Sequence, residues 1–238
     1  MTPEFFPENI NVISTKRYLI EKPKVFSSGF DSFNIANHVA DDPKKVFDNR
    51  KELVQYFNLP SDPRYLNQIH SDKCLRFDNP ECEGDAIYTN KKNEVCAILT
   101  ADCLPIFITD TLGQEVTVIH AGWKGLLKGV IEQTLKYFDS KNLVAHFGPA
   151  ISQDSFEVGE EIRDKYIAKD NRFTSSFKTN SGKHFLDLYS AAKLVLNNFD
   201  IYKISGGNEC TFKQEDEYFS YRRDGKNSGR MVNLIWIN

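Results

Sequence analysis

Two apolar runs separated by only three residues constrain this chain most. Val95–Thr100 and Leu104–Thr109 are rich in β-branched residues and too short for ordinary helices, so each reads as a buried strand. The break between them is Ala101-Asp102-Cys103, which sets a carboxylate and a thiol between two buried segments. Val116–Ile119 follows as a third short strand, and Arg64–Ile69, Asn142–Phe147 and Met231–Ile237 read as others. Helices alternate with them. Asp41-Asp42-Pro43 marks a helix start, an acidic cap followed by proline in the first turn, and Val46, Phe47, Leu53, Val54 and Phe57 recur at helical spacing through Lys44–Asn58. Leu126, Leu127, Val130, Ile131, Leu135 and Phe138 predict one amphipathic helix, and Phe156–Ile167 and Phe185–Phe199 predict two more. Strands and helices interleave, so the class is α/β or α+β.

With 238 residues, no internal repeat and no Gly-, Ser- or Pro-rich linker, one domain over 1–238 is the simplest organisation. A net charge of −3 gives no electrostatic reason to expect a nucleic-acid or membrane-surface partner. The longest apolar stretch is interrupted by Asp102 and is too short to span a bilayer. Neither GxGxxG nor a Walker A loop occurs. Five cysteines, an odd number with no CxxC pair, argue against a disulfide framework. The N-terminus has no basic start followed by an apolar run, so the expected compartment is the reducing cytoplasm.

Three soft-metal ligands fall at the ends of predicted strands: His70, Cys103 and His120. Two imidazoles and one thiolate suit zinc, and three ligands leave a fourth position for water or substrate, the pattern of a catalytic site. Taken singly, a strand-end His is often only hydrogen-bonded and a Cys between apolar strands is usually core. Asp102 shifts that balance, because a carboxylate between buried strands needs a reason: it orients a ligand, acts as acid or base, or forms the turn. His120 precedes a helix, with Gly122 and Gly125 close by, which either frees backbone N–H groups for an anion or permits tight packing.

Several segments together carry a family resemblance. They are Asn67-Gln-Ile-His70, Thr100-Ala-Asp-Cys-Leu-Pro105, Ile119-His-Ala-Gly-Trp-Lys-Gly125, Gly148-Pro-Ala-Ile151 with Phe156-Glu-Val-Gly-Glu160, and Phe219-Ser-Tyr-Arg-Arg-Asp-Gly225 with Gly229-Arg-Met231. Ser32–Pro43 resembles an early motif of the same family. From about Phe26 onward the chain is similar to the YfiH/laccase-domain family, also called the multicopper polyphenol oxidase or purine nucleoside phosphorylase family. The resemblance implies a single domain with a layered α/β/β/α fold and a zinc site of His70, Cys103 and His120. It implies phosphorolysis of purine nucleosides, with adenosine deamination as an accompanying activity. Lys124, Arg222 and Arg223 become candidate phosphate partners, and Asn34 and Gln68 further substrate-binding candidates. Two departures stand out: the early segment Ser27–Phe33 lacks an arginine that many members carry, and Lys124 stands where many have Arg, keeping the charge but not the bidentate fork.

Other chemistries use the same residues. A blue-copper centre wants a weak axial ligand, often Met, and the only methionines are Met1 and Met231. Beyond His70 and His120 only His38, His146 and His184 remain, too few for a multicopper cluster, although copper would bind such a site tightly in vitro. Cys103 with His70 or His120 as base would make a cysteine amide hydrolase, and the resemblance extends to proteins linked to editing of peptidoglycan precursors. The deaminase signature H-x-E…P-C-x-x-C is absent. Small-molecule partners, a nucleoside and phosphate, fit a monomer or a homodimer.

Overall fold

The computed structural model describes residues 2–238. The first half contains β1 (Ile10–Ser14), α1 (Pro43–Tyr56), β2 (Cys74–Arg76), β3 (Ala86–Thr89), β4 (Cys96–Thr100), β5 (Leu104–Asp110) and β6 (Val116–Ala121). Next come α2 (Trp123–Lys128), α3 (Val130–Leu135), β7 (Leu143–Phe147), β8 (Glu157–Val158) and α4 (Glu160–Lys169). The chain closes with β9 (Phe177–Asn180), β10 (Lys183–Leu186), α5 (Leu188–Asn197), β11 (Ile204–Gly206), α6 (Tyr221–Asp224) and β12 (Met231–Ile237).

Two sheets form the centre. One has six strands in the order β11-β7-β5-β6-β3-β2, the other three in the order β1-β12-β4, and β8-β10-β9 make a small third sheet. Side chains alternate between faces along each strand, and the core divides accordingly. Ile98 of β4, Phe107 of β5, Val118 of β6 and Ile235 of β12 meet between the two central sheets. Leu104, Ile106 and Ile108, on the other face of β5, pack with Leu126, Val130, Ile131, Ala192 and Leu196 of α2, α3 and α5. Ala97, Leu99, Leu234 and Trp236 turn the other way and meet Leu53 of α1. The result is an α/β/β/α sandwich. Each large apolar side chain fully buried in these layers contributes about 1.5–3 kcal/mol, and β5 supplies four of them, Leu104, Ile106, Phe107 and Ile108.

The sequence expectations hold for α1, where Asp42 accepts a hydrogen bond from Lys44 N and Pro43 opens the helix. They fail in four places, each for a physical reason. Arg64–Ile69 is extended but not a strand, because it bonds alternately to different neighbours: Arg64 N to Val95 O, then Asn67 N to Cys82 O. The helix expected over Leu126–Phe138 breaks at Gly129, whose φ of 100° only glycine adopts easily. Its apolar stripe survives the break, since Leu126, Val130, Ile131 and Leu135 all stay in one cluster. Glu157–Val158 and Lys183–Leu186 pair as strands, so the two later helices start at Glu160 and Leu188. Asp187 caps the second of these by accepting from Ser190 N.

Candidate active site

Strand β4 belongs to the three-stranded sheet and β5 to the six-stranded one. Ala101-Asp102-Cys103 is therefore the crossing between sheets, made at one end of the sandwich. The crossing turns sharply, with Asp102 at φ 86°, in the left-handed region. Asp102 is held there from two sides. Its Oδ1 accepts from Thr211 Oγ1 at 2.6 Å and its Oδ2 from Arg222 N at 2.6 Å. Both oxygens are engaged, so the carboxylate fixes the crossing and ties the C-terminal segment to it.

Cys103 leaves this turn beside the two histidines. His120 lies at the end of β6, and His70 at the bend that follows the extended segment Arg64–Ile69. The candidate ligand atoms of His70, Cys103 and His120 all lie within 4.8 Å of one another, and Cys103 Sγ is 3.7 Å from His70 Nε2. A metal bonded tetrahedrally at zinc distances spaces sulfur and nitrogen ligands by roughly 3.3–3.7 Å. The Cys103–His70 spacing matches that range, and the three residues have the donor types and the proximity to hold such an ion.

A residue that the sequence reading passed over organises the cluster. Asp85, fully buried ahead of β3, accepts from His120 Nδ1 at 2.7 Å and from His70 N at 3.0 Å. It also accepts from Ser71 N and Ser71 Oγ, each at 2.6 Å. Because a carboxylate accepts, the His120 proton sits on Nδ1 and Nε2 is left as the ligand atom. The same group pins His70, whose φ of 57° is unusual for a residue with a Cβ. Gly122 completes the arrangement. A Cβ there would lie 2.9 Å from Cys103 Sγ and 2.9 Å from His70 Cδ2, so only glycine lets β6 pass into α2 so close to the ligands. At Gly125 a Cβ would lie 3.1 Å from Ser71 O, so the second glycine also serves close packing.

The electrostatics of the ion-free cluster follow from these contacts. Burial pushes the Cys103 thiol up, but the His120 charge and hydrogen bonds from both imidazoles outweigh it, and the thiol titrates at about 6. Burial disfavours a charged His120, yet Cys103 and Asp85 raise it to about 9. Burial also works against an ionised Asp85, and hydrogen bonds from His120 and Ser71 overcome it, holding the carboxyl at about 2. A thiolate stands ready at neutral pH, the form a metal ion requires.

The cluster opens into a cavity of about 530 Å³, large enough for a small organic substrate. Leu99, Trp123, Ile151, Phe156 and Leu188 supply apolar wall, and His38, Arg222 and Arg230 also line it. Of the substrate-binding candidates, only Gln68 and Arg222 line this cavity. The Gln68 amide is engaged at both ends: Nε2 donates to Leu99 O at 2.8 Å and Oε1 accepts from Leu99 N at 2.7 Å, imitating a strand partner for β4. Lys124 is exposed, its ammonium 5.4 Å from the Trp123 ring centre. Arg223 bonds to the carbonyls of Thr211, Phe212 and Tyr218 and pairs with Asp224. Asn34 is buried outside the cavity lining. Upstream of the arginine-free segment Ser27–Phe33, the Arg17 guanidinium is spent on scaffold, donating to the carbonyls of Ser28, Asp31 and Glu215.

Residues 18–238 match the family described as multi-copper polyphenol oxidoreductase laccase. The chain belongs to this family. A Haemophilus influenzae protein named purine nucleoside phosphorylase is 41% identical over 238 residues, covering 97% of this chain and 96% of that protein. An Escherichia coli protein named purine nucleoside phosphorylase YfiH is 40% identical over 213 residues, 87% of each. In three dimensions, the crystal structure of Neisseria meningitidis protein NMB0706 aligns with a TM-score of 0.89 at 36% identity, covering 98% of this chain and 96% of that one. The layered fold is thus shared with solved members of the family.

Proposed function

We propose that the protein is a zinc-dependent purine nucleoside phosphorylase. One observation carries the reading: three residues that could hold a metal ion line the same cavity as two arginines and an apolar wall. Relatives about 40% identical, named for this activity, support it.

Phosphorolysis breaks the bond from the sugar C1′ to the purine and forms a bond from C1′ to a phosphate oxygen. Positive charge develops on the sugar as the bond opens. His70, Cys103 and His120 would hold the zinc ion, which supplies a Lewis acid when bound. Asp85 keeps the proton on His120 Nδ1, so the imidazole presents Nε2. Trp123 and Phe156 give flat apolar surface for a purine ring, and the enclosing wall limits water, which would otherwise compete with phosphate. Asp102 holds the backbone of Arg222 at the cavity edge, where its guanidinium can meet an anion. All five cysteines are free, in keeping with a cytoplasmic enzyme.

The test is product analysis of adenosine and inosine with and without phosphate. Free base and ribose 1-phosphate, formed only with phosphate, are the expected products. Inosine from adenosine in the absence of phosphate measures the deaminase activity in the same experiment. No product from metal-loaded protein overturns the reading. A second reading has its own observation: Cys103, His120 and Asp85 stand in the order of nucleophile, base and orienting carboxylate. Amide hydrolysis that survives complete removal of metal would favour it.

A further inference from the structure

Arginines whose donors are taken up by the protein differ sharply from one that is not. In Arg17 and Arg223, Nε, Nη1 and Nη2 all find protein acceptors. In Arg230, Nη1 donates to Ser228 O at 2.6 Å and Gly229 O at 2.9 Å, and among the described residues Nε and Nη2 have no acceptor and no carboxylate pairs with it. Arg230 is nonetheless partly buried in the cavity wall, and burial lowers its pKa from the ordinary value. The carboxylate in that wall, Asp102, is already engaged at both oxygens by Thr211 and Arg222 N. Asp102 and Cys103 lie near enough to favour its charge but neither bonds to it, so its free donors remain available to a further anion in the cavity.

The backbone under Arg230 is fixed. Asn34 Oδ1 accepts from Arg230 N at 2.9 Å, and a Cβ on neighbouring Gly229 would lie 2.7 Å from the Phe219 ring. The guanidinium is thus held in place before any ligand arrives, with one edge of its planar fork free.

We propose that Arg230 is the phosphate clamp of this cavity, assisted by Arg222 at its edge and positioned by Asn34. The ligand is a phosphate dianion, free as the reactant and esterified in the sugar phosphate product, and the free fork matches it bidentately. The proposal rests on the phosphorylase reading above.

Calorimetric titration of zinc-loaded wild type, Arg230→Gln and Arg230→Lys with inorganic phosphate, and separately with ribose 1-phosphate, tests it. Steady-state kinetics and metal content accompany each titration. In Arg230→Gln the Kd for both ligands and the KM for phosphate rise by about tenfold or more, as loss of a charge-assisted pair predicts. The nucleoside KM and zinc content stay as in wild type, which a merely structural role would not single out. Arg230→Lys, which keeps charge but not the fork, falls between, and it carries the test should Arg230→Gln fold poorly. Unchanged phosphate affinity in these variants overturns the assignment and leaves the phosphorylase reading standing. Loss of affinity for only one of the two ligands also overturns it. Wild-type protein that binds neither ligand overturns both.

Discussion

The two ends of the β5–β6 hairpin both bury carboxylates, and they use them differently. At the turn end, Asp110 accepts from the N–H groups of Leu112, Gln114 and Glu115, partners two to five residues away. Glu115 accepts from Tyr88 Oη and from Asp139 N and Ser140 N. Every one of these contacts terminates in scaffold. At the other end, Asp85 bonds to His120, 35 residues on, and Asp102 bonds to Thr211 and Arg222, 109 and 120 residues on. Two of those partners, His120 and Arg222, themselves line the cavity. Both ends satisfy the rule that buried charge must be hydrogen-bonded. Only one converts that rule into positioned cavity residues.

Breaking the cluster itself should have the largest effect. Cys103→Ala is expected to lose at least about a thousandfold in turnover, several kcal/mol of lost stabilisation at 1.36 kcal/mol per tenfold. Bound zinc should fall with it while the far-UV spectrum is retained, measured by kinetics and metal analysis. A variant with full turnover would sink the metal-site reading. Next comes Gly122→Ala, whose Cβ must push Cys103 and His70 apart. A displacement of this kind costs about a hundredfold in turnover, and an undisturbed enzyme would show that the close approach is not required.

The two ends can then be compared directly with one substitution each. Asp85→Asn is expected to weaken zinc affinity by about 10–100-fold, read by chelator competition. Asp110→Asn should leave zinc affinity and turnover unchanged and instead cost about 1–3 kcal/mol of stability. Equal effects on zinc from both would erase the distinction. The smallest effect is on pH dependence of the zinc-free protein. The Asp85 carboxyl is lowered from 3.8 to about 2 on folding. Its contribution, about 2 kcal/mol, is present in full above its unfolded value and disappears as pH falls through its folded one. The stability gap between wild type and Asp85→Asn should accordingly narrow on acidification below pH 4, by urea denaturation. A gap independent of pH would show that the hydrogen bonds, not the charge, do the holding.

Local chemistry made several elements readable in advance. Asp42-Pro43 announces α1 by its own capping, and the β-branched runs of β4, β5, β6 and β12 need no partner to be recognised. The helix expected from Phe185 starts only at Leu188, because Phe185 and Leu186 belong to β10, whose pairing with β8 and β9 is tertiary. Gln68 shows the same limit at the level of one side chain: its amide completes the edge of β4, 31 residues away, and nothing adjacent to it in the chain signals that use. Asp85 has no local pattern around it that marks its use, and Arg230 lies in a motif read only for its likeness.

By itself, the sequence determined the alternation of strands and helices, because residue type and local pattern suffice for it, while the layered fold and the grouping of His70, Cys103 and His120 came from the family resemblance its motifs carry. Only the tertiary structure decided that Ala101-Asp102-Cys103 crosses between sheets, that Asp85 holds both histidines, and that Arg230 faces the cavity while Arg223 does not. The physical reason is that buried polar groups must find partners wherever the fold brings them, and at this site those partners lie up to 120 residues apart along the chain.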